Sequence, residues 1–230
     1  MKIVKILGGL ITALVCVGVF GLVGRWNWYR GWALIGLLII GRLVSVPYLW
    51  QKNPELMKRR GQFGEGTKTW DVILLAVFGL TFLAIPIVAA LDIRHQWSDM
   101  PLWLWPLGAV LYAGFVAVIT WSMAVNPHFE KTVRIQRDSV SADLSVRNHH
   151  VIDTGPYGIV RHPGYAATVL GLVLAIPLLL GSWWAFIPAI LTTLCLVLRT
   201  ALEDRTLRQE LPGYKDYTRK VRYRLLPGLW

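Results

Sequence analysis

The chain has 230 residues, of which 55% are hydrophobic and 16% charged, and its mean hydropathy is +0.49. Soluble domains carry about 25% charged residues, so this composition excludes an ordinary water-soluble enzyme and indicates a polytopic membrane protein. A formal net charge of +11 would suggest nucleic acid in a soluble protein; here the charges sit where membrane topology demands them, and no nucleic-acid partner is expected.

Six apolar segments are predicted in chain order, at 3–23, 31–50, 70–91, 101–125, 164–180 and 183–198. The first follows Lys2 and Lys5; its run is long for a signal peptide and lacks a small-x-small cleavage site, so it reads as a retained span. The first four have the length needed to cross about 30 Å of hydrocarbon at 1.5 Å per residue. The last two are shorter and joined by Gly181-Ser182, which predicts a tight helical hairpin. The connection 51–69 is basic and glycine-bearing but lacks the strand context and Lys-Ser/Thr of a phosphate-binding loop. Residues 126–160 are polar, with an extended piece around Val133–Gln136 and the pair His149-His150, for which no metal is expected because no ligand set completes it. After the sixth segment the helix is expected to run on until Pro212-Gly213 breaks it, with Tyr214 and Tyr217 on a short helical turn.

Twenty of the 24 Lys and Arg fall at the N-terminus, in the second and fourth connections and in the tail. The positive-inside bias therefore predicts both termini in the cytoplasm, in a bacterial inner membrane or, in a eukaryote, the endoplasmic reticulum. Most of the twelve Trp fall at segment ends, as an interfacial belt. Cys16 and Cys195 read as small core residues. Arg42, inside the second segment, either faces the bundle interior or pairs with Asp71. The fold expected is all-α, with a four-span region over 1–125 and a second region over 126–230 holding a cytoplasmic loop, the hairpin and the tail.

One polar cluster stands out. Gly155-Pro156-Tyr157 and Arg161-His162-Pro163-Gly164-Tyr165 enter the hairpin, and Arg199, Glu203 and Asp204 leave it. Ionisable groups at a membrane boundary are costly unless paired or bound to something. Pro163 suits the first turn of a helix. Arg161 and His162 just before it crowd cations at the positive end of a helix dipole, a conflict that a ligand carboxylate would relieve. Arg199 and Glu203, four apart, share one helix face and are expected either to form an ion pair or to bind a ligand.

These motifs in this order, with Leu207, Tyr214, Tyr217 and Arg224-Leu225-Leu226-Pro227, resemble the isoprenylcysteine carboxyl methyltransferase family and the related phospholipid methyltransferases, over about residues 126–230. The resemblance implies a membrane-embedded methyltransferase using S-adenosylmethionine, with a cytoplasmic C-terminal cofactor region and no Rossmann domain. It implies that Gln136, Val151, Ile152, Tyr157, His162, Pro163, Gly164, Tyr165 and Glu203 contact the cofactor, Val151 and Ile152 through their backbone. It also implies catalytic roles for Arg199 and Glu203, with Arg199 facing the acceptor and Glu203 holding the cofactor; Asp204 stands where the family often has a second Glu. The implied partners are membrane lipids and a lipophilic acceptor, such as the carboxylate of an isoprenyl-type compound or prenylcysteine. A phospholipid amine or small thiol acceptor, a sterol-type reductase of related membrane fold and a non-enzymatic membrane protein are the competing readings.

Overall fold

In the computed structural model the described residues are 18–24, 26–59, 68–129 and 151–230, and they contain helices and no strand. Five helices among them are long and apolar enough to cross a membrane. They are α1 (Tyr29–Lys52), α3 (Thr69–His95), the stretch Leu102–Val125 containing α4 (Trp105–Val125), α5 (Pro163–Leu180) and α6 (Phe186–Glu210). Short helices α2 (Pro54–Arg59) and α7 (Tyr214–Lys220) lie outside the spans. The structure thus bears out an all-α, multi-spanning membrane protein. Of the first expected segment only 18–23 is described, and it is helical. Cys16, the glycines at 61–66, Gln136, His149 and His150 lie outside the described residues.

The hairpin forms as its turn chemistry dictates. Gly181 adopts a left-handed conformation at φ +80° that ends α5, and a serine follows to start the return. The Ser182 hydroxyl accepts from the Ala185 N–H at 3.1 Å, capping the entry to α6. The sixth apolar run ends at Leu198, but the helix continues to Glu210, so α6 projects well past the membrane-length stretch. α5 spans 18 residues, about 27 Å at 1.5 Å per residue. Counting the same distance down α6 from Phe186 arrives at Glu203, which is why the two charged ends of the hairpin meet.

α3 is the main support of α6 and packs along it, while α4 packs still more extensively against α5. At the hairpin tip the Asp92 carboxylate, fully buried, accepts from the Ser98 N–H at 2.8 Å, the Ser98 hydroxyl at 2.6 Å and the Ser182 hydroxyl at 2.5 Å. α5 lies against α4 with its backbone in close approach at Gly171, where a Cβ would stand 2.7 Å from the Leu111 carbonyl oxygen. Here α5 loosens into a π-helical stretch over Thr168–Val173. α1 is tied to α4 at its far end, where the Asn53 amide donates to the Met123 carbonyl at 2.9 Å and the Asn126 carbonyl at 3.3 Å. The apolar core lies between α1, α3, α4 and the two hairpin arms.

Trp26, Trp103, Trp183 and Trp184 are exposed around the tip end, in keeping with an interfacial belt; Trp28 departs from that pattern and is buried. Arg42 lies on an exposed face of α1, and Asp71 is engaged by Arg199 instead, so the pairing of Arg42 with Asp71 does not form.

Candidate functional site at the hairpin base

The base of the hairpin is organised around Asp204, which is only 1% exposed. Arg161 Nε stands 2.9 Å from its Oδ1 and His162 Nε2 3.5 Å, while Arg208 Nε and Arg224 Nε each stand 3.1 Å from Oδ2. The Tyr214 hydroxyl donates to Oδ1 at 3.1 Å. One anion at the cationic start of α5 is therefore the protein's own Asp204, contributed by α6. The shorter side chain at this second acidic position seats a carboxylate among three guanidiniums, and removing it would leave buried charge uncompensated.

The tail closes around this knot. Arg161 Nη1 donates to the carbonyls of Val221 and Arg222 at 3.1 and 3.0 Å, and the Arg161 and His162 N–H groups donate to the Tyr223 and Arg224 carbonyls, both at 2.9 Å. α7 carries Tyr214 and Tyr217 against Leu211, Val221, Val151 and Leu207. The Tyr217 hydroxyl donates to the Tyr157 carbonyl at 2.7 Å, and the Tyr157 hydroxyl accepts from the Asn126 amide at 3.0 Å. Burial pushes the Tyr157, Tyr214 and Tyr217 hydroxyls above the usual phenol range, so all three stay protonated. These tyrosines hold the loop, the hairpin and the tail together.

A second set lies beside the first, one step further along the hairpin arms towards the tip. Tyr165 donates to Glu203 Oε2 at 2.5 Å, and its ring stacks on His162 with centroids 5.8 Å apart. The Arg199 guanidinium lies 5.2 Å from the centre of the same ring. Arg199 Nε and Nη2 donate to the two oxygens of Asp71 at 2.7 and 3.2 Å. Arg199 thus takes its carboxylate from α3, across the helix interface, where an ion pair with Glu203 one turn below had been one of the two expectations. Asp71 is 0% exposed and Arg199 6%, whereas Glu203 is half-buried.

The structure accordingly brings His162, Tyr165, Arg199 and Glu203 together. Pro163 begins α5 and is buried; Gly164 is buried against Phe129 and Ile119 of the α4 side. Val151 packs on the tail tyrosines and Ile152 follows it, half-buried. Tyr157 is buried behind the knot, while Gln136 falls outside the described residues. Sequence reasoning did not place Asp71 in this cluster. Its signal was present: a lone acidic residue at the start of an otherwise apolar helix requires a partner, and the arginine one span-length down α6 was available.

The sequence model of the isoprenylcysteine carboxyl methyltransferase (ICMT) family matches residues 132–209. The chain is methyltransferase-like, and it is a membrane protein. The matched region runs from the loop through the hairpin to just past Asp204, about a third of the chain, and leaves Asp71, Tyr214, Tyr217 and Arg224 outside it. No curated protein matches the chain.

Proposed function

We propose that the chain is an integral membrane methyltransferase that uses S-adenosylmethionine to methylate a lipophilic acceptor, with a carboxylate of an isoprenyl-type compound or prenylcysteine as the best-suited target. The observation that carries this reading is the arrangement at the hairpin base: a half-buried Glu203 carboxylate beside a buried, oriented Arg199, next to a cluster with more guanidiniums than carboxylates. The family match over the same segment supports it.

The donor set fits such a cofactor. Three guanidiniums share the single Asp204 carboxylate, and this positive surplus at the start of α5 suits the carboxylate of an amino-acid moiety. Glu203 holds one hydrogen bond from Tyr165, and a carboxylate has acceptor capacity beyond one bond for an ammonium or for ribose hydroxyls. S-adenosylmethionine, when bound, supplies an electrophilic methyl group on a positively charged sulfur. Arg199 orients the acceptor from a guanidinium plane fixed by Asp71 and the Tyr165 ring. A carboxylate acceptor arrives deprotonated, so no general base is required of this chain. The residues contribute position and dryness: in-line transfer depends on alignment, and joining opposite charges is favoured where water is excluded.

The test is transfer of a radiolabelled methyl group to a native membrane lipid extract, with chromatographic identification of the product, alongside calorimetry of the purified protein with S-adenosylmethionine. Binding and a labelled methyl ester are expected. No binding by the wild-type protein would sink the reading; a labelled amine or thioether would keep the enzyme class and change the acceptor, and binding of reduced nicotinamide instead would redirect it to a reductase.

A further inference from the structure

Arg42 takes no part in the site at the hairpin base. Along α1 it stands 10 residues from Trp32 and 8 from Trp50, about 15 and 12 Å of helix rise. Both tryptophans are exposed, at 49% and 44%, and such rings lie at the two membrane–water interfaces. Arg42 therefore lies near the middle of the hydrocarbon. Either interface is further away than a stretched arginine side chain reaches, so snorkelling does not return its charge to the headgroups. The side chain is exposed on the bundle and has no hydrogen-bond or ion-pair partner among the described residues. A charge at this depth is costly unless it meets a counter-group. The buried carboxylates Asp71, Asp92 and Asp204 are all engaged by other donors.

A second polar group joins it from α4. Gly41, bare of a side chain, receives Tyr112: a Cβ there would stand 2.5 Å from the Tyr112 hydroxyl. The phenol ring is buried, at 5% exposure. Its hydroxyl also has no hydrogen-bond partner among the described residues, yet it is not one of the unpartnered atoms sealed from the surface. The hydroxyl thus ends at the rim of the α1–α4 contact, against the backbone of the residue before Arg42, and Arg42 acts on it electrostatically. A cation and an unspent hydroxyl donor face whatever lies against that rim. The depth selects the occupant. A phosphate headgroup keeps its charge and stays at the interface, whereas a carboxylic acid can neutralise in an apolar medium and carry its head to the midplane. An arginine fork matches a carboxyl group at both oxygens.

We propose that Arg42 and Tyr112 form a mid-bilayer site for the carboxyl group of a lipophilic acid, with the guanidinium on its oxygens and the phenol donating to one of them. The site is separate from the hairpin base, since α1 packs along α4 and the tip end of α5 and not along α6. The test uses the full chain in nanodiscs of phosphatidylcholine and phosphatidylglycerol doped with equal amounts of oleic acid and methyl oleate. Native mass spectrometry reads the lipids it retains. S-adenosylmethionine is left out, so the outcome does not depend on the proposed activity. Wild-type protein is expected to retain the acid at least tenfold over its ester. Arg42→Gln, which keeps a donor and removes the charge, is expected to bring the two within twofold. Tyr112→Phe, which keeps the ring and removes the hydroxyl, is expected to lower retention of the acid at least threefold. Equal retention of acid and ester by the wild type, or an acid preference that either substitution leaves unchanged, overturns the proposal. Retention of phosphatidylglycerol in place of the acid assigns Arg42 to a headgroup and overturns it as well. Should Arg42→Gln fail to fold, Tyr112→Phe decides alone, because the phenylalanine ring keeps the packing against α1.

Discussion

The hairpin is fastened at both ends by a buried aspartate, and the two fastenings differ in kind. At the tip, Asp92 receives neutral donors, two serine hydroxyls and one backbone N–H. At the base, Asp204 receives three guanidiniums, a histidine and a tyrosine. Both carboxylates are almost completely hidden, yet the first needs only hydrogen bonds to tie a turn to a neighbouring helix. The second gathers far more positive charge than one carboxylate balances. On the proposed reading that excess serves an anionic group of the cofactor, and the contrast then separates an end built for holding from an end built for holding and binding.

The sharpest way to break this contrast is to neutralise Asp204. Asp204→Asn keeps the shape and leaves Arg161, Arg208 and Arg224 facing one another with no carboxylate between them. Removing one partner of a buried ion pair costs about 3–5 kcal/mol, and this carboxylate serves several. The expected result is a large fall in thermal stability in detergent, read by scanning fluorimetry, together with loss of S-adenosylmethionine binding by whatever folded protein remains. A variant as stable as wild type would remove the knot from the account.

Asp71→Asn comes next, with an effect also near 3–5 kcal/mol because Arg199 would remain charged and buried. The double substitution Asp71→Leu with Arg199→Met sharpens the result. Replacing a buried ion pair by apolar groups of similar size is often neutral for stability, so fluorimetry should show recovery relative to Asp71→Asn. Methyl transfer should not recover if Arg199 acts on the acceptor. Recovery of both would assign the pair a purely structural role.

How much of this was legible beforehand depended on distance along the chain. The spans were visible because an apolar stretch of membrane length has few other fates, and the hairpin because Gly181-Ser182 leaves no room for anything but a turn. The meeting of His162 and Tyr165 with Glu203 followed from those two facts, since equal arm lengths put them at equal height. What stayed hidden was the choice of partner. Arg199 had Glu203 one turn away on its own helix, and only the lateral packing of α3 against α6 puts Asp71 there first. Arg42 and Arg199 were equivalent claimants on Asp71 until that packing was known. Likewise nothing in the spacing of Tyr217, Arg224 and Tyr157 reveals that the tail folds back on the loop, because those contacts are long-range and depend on where α7 lands.

Asp92→Asn tests the tip end. An amide retains one acceptor oxygen but turns a donor towards hydroxyls that were donating, so about 1–3 kcal/mol should be lost. The decisive readout is function: the protein that remains folded should bind S-adenosylmethionine as tightly as wild type. If Asp92→Asn weakened cofactor binding as strongly as Asp204→Asn, the two ends would not be specialised as argued.

The smallest stability effect belongs to the residue with the largest proposed role in binding. Glu203 is half-buried, and its observed bond is from a tyrosine hydroxyl. Glu203→Gln keeps an acceptor oxygen for Tyr165 and removes only the charge, so unfolding should shift by about 1 kcal/mol or less, within the usual worth of one hydrogen bond. Calorimetry should nevertheless show S-adenosylmethionine binding weakened at least tenfold, since a neutral amide cannot hold an ammonium as a carboxylate does. That pairing of near-native stability with lost affinity distinguishes a binding carboxylate from a structural one. A variant with both stability and affinity intact would move the cofactor's cationic partner away from Glu203, leaving the base of the hairpin as a structural knot at Asp204 and Asp71 alone.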